Sequence, residues 1–118
     1  MSVFKVSVIA RNPKDEERAT TPVEALVDTG SELSWLPATL LRAAGIVPRR
    51  KRAFATATRD VGYAIVAAEG YETADEVVFA ESSDATLLGV RTIDGFGVIV
   101  DNIGHRFVAR TTIVAGGR

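Results

Sequence analysis

The chain has 118 residues, 47% hydrophobic and 25% charged, with a formal net charge of -1; this is enough for a single domain over 1–118 that buries its own core and needs neither disulfide nor metal for stability. Cysteine is absent, which excludes cysteine nucleophiles and zinc-thiolate sites and suits a reducing compartment. The near-neutral charge gives no global reason to expect nucleic acid or an anionic membrane, no apolar run approaches the ~20 residues of a membrane span, and Met1-Ser2-Val3-Phe4-Lys5 lacks a secretory pattern, so the expectation is a soluble cytoplasmic protein.

Phe4, Val6 and Val8 alternate with Lys5 and Ser7 and predict a first strand, followed by a charged loop over Arg11-Asn12-Pro13-Lys14-Asp15-Glu16-Glu17. The run Val23-Glu24-Ala25-Leu26-Val27 predicts a second strand. Pro37 to Ala44 combines good helix formers with an N-terminal proline and stops at Gly45, which predicts a two-turn helix with Leu40, Leu41 and Ala44 inward. Arg49-Arg50-Lys51-Arg52 follows Pro48 and reads as an exposed turn. Further strands are expected at Ala53 to Ala57, Tyr63 to Ala68 and Glu76 to Ala80, with Ser82-Ser83-Asp84 turning into Ala85 to Leu88. Val90 to Asp94 reads as one helical turn ended by Gly95, and Gly97 to Val100 with Arg106 to Val114 as a hairpin around Asp101-Asn102-Ile103-Gly104. The result is a mainly β chain with two short helices and no linker.

Asp28-Thr29-Gly30, followed by Ser31, ends the second strand and so presents one carboxylate from a strand terminus. Asp before Thr-Gly is also ordinary turn chemistry, its carboxylate capping nearby N–H groups. The strand before it, and Thr86-Leu87-Leu88-Gly89 about sixty residues later, favour a catalytic carboxylate. Hydrolysis of an amide by carboxylates needs two of them sharing one proton, the ionised one activating water and the protonated one donating to the carbonyl. One Asp cannot do both. The chain has a single Asp-Thr-Gly and no internal repeat, so a second identical chain is the economical source of its mate.

Ala25-Leu26-Val27-Asp28-Thr29-Gly30-Ser31, the following Leu36-Pro37, and Thr86-Leu87-Leu88-Gly89 resemble the retropepsin-like aspartic proteases, over about residues 3–101. The resemblance implies a closed β-barrel of the acid-protease-half type, with a flap hairpin and one or two short helices. It implies a homodimeric endopeptidase acting on a protein or extended peptide, with no cofactor and no metal. Asp28 would be the catalytic acid/base, Thr29 would brace the dyad through its hydroxyl and the partner's backbone, and Gly30 would let substrate approach. Leu87, Leu88 and Gly89 would pack beneath the catalytic loop. The flap would span about Arg52 to Gly62, with its tip near Ala57-Thr58-Arg59. Substrate would be met by Ser31, Glu32, Ala57, Thr58, Arg59 and Leu88. Two features depart from the viral members: Glu32 faces Val90, with Arg91 one position late for the ion pair those members make, and more than twenty residues follow Gly95.

Other constellations have plainer readings. Arg49 to Arg52 could attract acidic peptide or phosphate but reads first as solvated charge. His105 is the only histidine, which excludes a two-histidine metal site within one chain and places it on the final hairpin. Trp35 belongs to the core or its rim. Glu32 has two readings, a substrate amide or the turn after Gly30. Against the peptidase stands a catalytically silent homodimer of the same fold that binds extended peptides or serves assembly. A weaker third reading, nucleic-acid binding through Arg49 to Arg52, has no motif behind it.

Overall fold

The computed structural model describes residues 4–110. Its elements run β1 (Lys5–Asn12), β2 (Asp15–Ala19), β3 (Val23–Val27), β4 (Ser34–Pro37), α1 (Ala38–Ala43), β5 (Arg50–Ala53), β6 (Thr58–Ala68), β7 (Tyr71–Ala80), β8 (Leu87–Leu88), α2 (Val90–Phe96), β9 (Val98–Asp101) and β10 (Arg106–Ala109). The main sheet has the order β2-β1-β3-β8-β4-β7-β6-β5, and an added β1–β6 pairing closes its six inner strands into a barrel. This is the mainly β closed barrel with two short helices that the sequence leads one to expect.

Period-two patterning builds the barrel. In β1, Val6, Val8 and Ala10 point inward between outward Lys5, Ser7 and Ile9, and β6 turns Ala64, Val66 and Ala68 to the same interior. The end of β7 is buried on both faces: Val77 and Phe79 enter the main core, while Val78 joins Leu33 and Val61 in a smaller cluster against Trp35 and Phe54. That double burial explains the unbroken apolar run Val77-Val78-Phe79-Ala80. Leu41 and Ala44 anchor α1 as expected, with Leu40 half-buried.

The structure differs from the sequence-based expectation at several boundaries. The charged segment after β1 is not a loop but the edge strand β2, exposed along its whole length. Strand pairing there rests on the backbone, with one Arg11–Glu16 ion pair (3.8 Å), and charged side chains suit an edge that must not recruit another chain. Arg50, Lys51 and Arg52 likewise form a strand, β5, paired with β6. The hairpin between β6 and β7 is longer than expected, turning at Glu69 and Gly70, both with positive φ. The helix after Gly89 does not stop at Gly95. A Cβ there would meet the Thr73 side chain, with Cβ at 2.9 Å, so this glycine permits close packing on β7, and Gly97 at φ 75 ends the helix. Strand β4 was not anticipated. In the final hairpin, residues 111–114 of the expected strand lie outside the described residues.

No described helix is long and apolar enough to cross a membrane. Among the described residues no cluster of three or more His, Cys, Asp or Glu stands together as a metal site.

Candidate active site

The pairing of β3 with β8 places Asp28. The two strands run parallel, Leu26 opposite Leu87 and Val27 opposite Leu88. Three successive amides are tied on alternate sides: Leu26 N–H donates to Thr86 O (3.0 Å), Val27 N–H to Phe4 O (2.9 Å) and Asp28 N–H to Leu88 O (3.0 Å). The chain then leaves the sheet in a tight loop. Gly30 N–H donates to Asp28 Oδ1 (2.9 Å), Ser31 N–H to Asp28 O (3.2 Å) and Ser31 Oγ to Leu33 O (2.7 Å). Asp28 is half-buried, its Oδ2 without a hydrogen-bond partner among the described residues, and Thr29 and Gly30 are exposed beside it.

The Gly89 segment locks this loop from behind. Val90 N–H donates to Ser31 O (2.8 Å) and Arg91 N–H to Glu32 O (3.1 Å), so two first-turn amides of α2, which no helical carbonyl can satisfy, are satisfied by the loop. Gly89 N–H donates to Ser34 Oγ (2.9 Å), and that hydroxyl is also 2.6 Å from Thr92 Oγ1 inside the core. Gly89 itself sits against the loop backbone. A Cβ would run into the Leu33 carbonyl oxygen and lie 2.9 Å from Ser31 O. Ser34 and Thr92 are missing from the sequence-based site, because a buried hydroxyl pair 58 residues apart carries no local pattern.

The β5–β6 hairpin stands where the flap was expected, but its turn comes earlier. Phe54 N–H donates to Ala57 O (2.8 Å), which puts the tip at 54–57, and Thr58 and Arg59 already lie in β6, opposite Ala53 and Arg52. No glycine marks this turn, so the sequence carried no strong signal for its position. Ala57 is half-buried and Thr58 exposed. Arg59 turns to Asp84, giving it two hydrogen bonds of 2.7 and 3.0 Å, and those bonds hold the Asp84 carboxyl below the usual carboxylate value. The hairpin is fastened beside the Asp28 loop near its tip, through Phe54 and Arg52. Phe54 packs on Trp35 at 5.0 Å between ring centroids, above Leu33. Arg52 Nη2 lies 2.7 Å from Glu32 Oε1.

Among the described residues the Glu32 carboxylate does not bond the turn after Gly30. It bridges to Arg52, and Arg91 reaches it as well at 3.8 Å while donating to Asp75 at 2.6 Å. The ion pair that the one-position offset argued against is thus formed in a longer version, with Arg91 shared between two acids. The basic run is spent in the same way: Arg50 makes two hydrogen bonds to Glu76 (2.7 and 3.1 Å) that hold its carboxyl low, and Lys51 binds Asp60 at 2.9 Å. The expectation of a solvated turn is replaced by intrachain ion pairs, and of the four only Arg49 has no carboxylate at ion-pair distance among the described residues.

Leu88, expected to meet substrate, is 0% exposed in the core. Its carbonyl holds the Asp28 amide, so it supports the loop from beneath. Ser31 is half-buried with its hydroxyl turned to Leu33. His105 sits on the last hairpin and stacks on Phe4, ring centroids 5.3 Å apart. The structure thus brings Asp28, Thr29, Gly30, Ser31, Glu32, Leu88 and the 54–57 turn into one region, while Arg59 faces Asp84.

No family model and no curated protein matches this chain. Among solved structures, it is similar to a retropepsin-like aspartic protease from Rickettsia conorii, with a TM-score of 0.48, 16% identity and 84% of each chain covered.

Proposed function

We propose that this chain is one half of an aspartic endopeptidase, two copies bringing Asp28 together as a shared dyad. The observation that supports this best is the locked loop. Backbone bonds from β8 and α2 hold Asp28 at a strand end with one oxygen fixed by Gly30 N–H and the other without a partner among the described residues. A structural turn residue would have no need of so much bracing, whereas a dyad needs its carboxylates preorganised.

In the reaction, water lies between the two Asp28 carboxyls. The ionised one removes a proton as the oxygen attacks the amide carbonyl, and the protonated one donates its proton to that carbonyl oxygen, giving a neutral tetrahedral diol. Collapse of the diol breaks the C–N bond, with a proton passing back to the leaving nitrogen. Thr29, exposed next to Asp28, braces the mate's loop, Gly30 gives the substrate backbone room, and Glu32 with the 54–57 turn borders the cleft. An extended protein or peptide segment lies under the β5–β6 hairpin as an added strand.

The test is cleavage of an unfolded polypeptide across acidic to neutral pH, with sedimentation to follow the dimer. Wild type cleaves, most strongly at acidic to mildly acidic pH, and Asp28→Asn abolishes cleavage while remaining folded and dimeric. A wild-type dimer that never cleaves, and that holds peptide equally before and after Asp28→Asn, is a silent binding module and ends the peptidase reading.

A further inference from the structure

A depression of about 580 Å³ opens between the β1–β2 turn and the 45–49 segment, lined by Pro13, Lys14, Ile46, Val47, Arg49 and Tyr63 among others. It lies far from Asp28. Phe4, whose carbonyl bonds the residue before Asp28, immediately precedes β1, and β1 ends at Asn12 beside this depression, a span of roughly 25 Å at strand rise. The volume falls within the usual range of small-molecule sites.

The walls are fixed and apolar. Gly62 has no side chain because a Cβ there would lie 2.8 Å from Val47 O, so Val47 and Pro48 rest directly on β6. Arg18 donates to Ala43 O and covers Gly45, which takes φ 77. Val47 is nevertheless 73% exposed and Tyr63 41%; these are two of only four large exposed apolar side chains among the described residues, and both line this one depression. Apolar surface concentrated on a rigid concave frame is where a ligand gains most from leaving water.

The charge at the rim has one sign. Lys14 and Arg49 line the depression, no acidic residue does, and neither cation has a carboxylate within ion-pair distance among the described residues. Arg49 instead lies over the Tyr63 ring at 4.7 Å, which orients its guanidinium and strips water from one face. Glu76, opposite Tyr63 in the sheet, is already engaged twice by Arg50. Asn12 is also committed: its amide donates to Ala44 O and its oxygen accepts from Lys14 N–H.

We infer that this depression is a second binding site, for a small carboxylate with an apolar body, the carboxylate facing Arg49 and Lys14 and the body lying on Val47 and Tyr63. This inference is independent of the role of Asp28. Its test is titration of the full chain with octanoate and with octanamide, followed by amide chemical shifts. Octanoate shifts residues 46–49 and 63 saturably and binds about tenfold tighter than octanamide, the worth of one charge-assisted hydrogen bond. Arg49→Gln weakens octanoate at least fivefold with little effect on octanamide, and Lys5→Gln, at the other end of β1, changes neither. Equal binding of the two probes, shifts that map elsewhere, or no saturable shift would each overturn the inference; none would touch the peptidase reading.

Discussion

Gly89→Ala isolates the device that holds the Asp28 loop in place. Gly89 has φ -91 and ψ 172, backbone angles that alanine adopts freely, so the substitution acts through space alone. The new Cβ meets the Leu33 carbonyl oxygen, lies 2.5 Å from the Leu33 carbonyl carbon and 2.9 Å from Ser31 O, all of them backbone atoms of the loop that carries Asp28. No side chain can rotate away. Relief requires the loop and β8 to separate, which costs about 1–3 kcal/mol as overpacking and about 1–3 kcal/mol more if the buried Gly89 N–H to Ser34 Oγ bond is lost. The sum, about 2–6 kcal/mol, is a large part of the roughly 5–15 kcal/mol that holds a small domain together. Gly70→Ala is the matched control. Gly70 has φ +83 with nothing within 4 Å of its absent Cβ, so its replacement costs only left-handed strain, about 1–2 kcal/mol. Urea denaturation at constant m-value measures both, and peptide cleavage of the folded fraction reads the loop. Gly89→Ala is the more destabilising of the two and lowers activity beyond its loss of folded protein. A Gly89→Ala protein within about 0.5 kcal/mol of wild type, the range of neutral surface changes, would refute the interlock.

Acid stability follows from the ion pairs. The carboxyls of Asp84, held by Arg59, of Glu76, held by Arg50, and of Asp60, held first by Lys51 and then by Arg42, all titrate below their ordinary values of 3.8, 4.5 and 3.8. Groups depressed in the folded state stabilise it fully above the unfolded values and lose that contribution as pH falls through the folded ones. The urea midpoint is therefore level down to about pH 5, falls below about pH 4, and falls less steeply in Arg59→Gln. Glu32→Gln costs less than about 1 kcal/mol, because the Arg52 pair is exposed and screened; equilibrium unfolding in low and high salt checks this, with the difference from wild type shrinking in high salt. Ser34→Ala and Thr92→Val each cost about 1–3 kcal/mol by stranding a buried partner, and the double variant costs less than their sum in a double-mutant cycle.

Elements with strong periodicity were legible in the chain itself. β1, β3 and α1 carry alternation or helix formers with clear ends, and their predicted positions agree with the structure to within a few residues. β2 and β5 were not legible because nothing apolar marks them: each is an edge strand held by backbone pairing, and Arg50, Lys51 and Arg52 look identical to a solvated turn until Glu76, Asp60 and Glu32 are brought across from elsewhere. Gly95 illustrates the opposite failure. Its residue type reads as a stop, but the cause is Thr73 on another element. At the candidate site, Asp28-Thr29-Gly30 and Leu87-Leu88-Gly89 could be read as motifs, whereas Ser34, Thr92 and the Arg52–Glu32 link depend on tertiary neighbours.

The bonds that shape the Asp28 loop among the described residues run to Leu88 O, the α2 amides and, through Gly89, Ser34. In the proposed pair, each protomer would therefore bring an Asp28 loop that its own chain already holds. Pairing that need not order this loop can be reversible and set by concentration. Activity of the proposed peptidase accordingly rises with the square of protein concentration at high dilution and becomes linear once the dimer saturates. Linear activity throughout, from a species that sediments as one chain, would mean that Asp28 works without its mate, which the two-carboxylate chemistry does not allow.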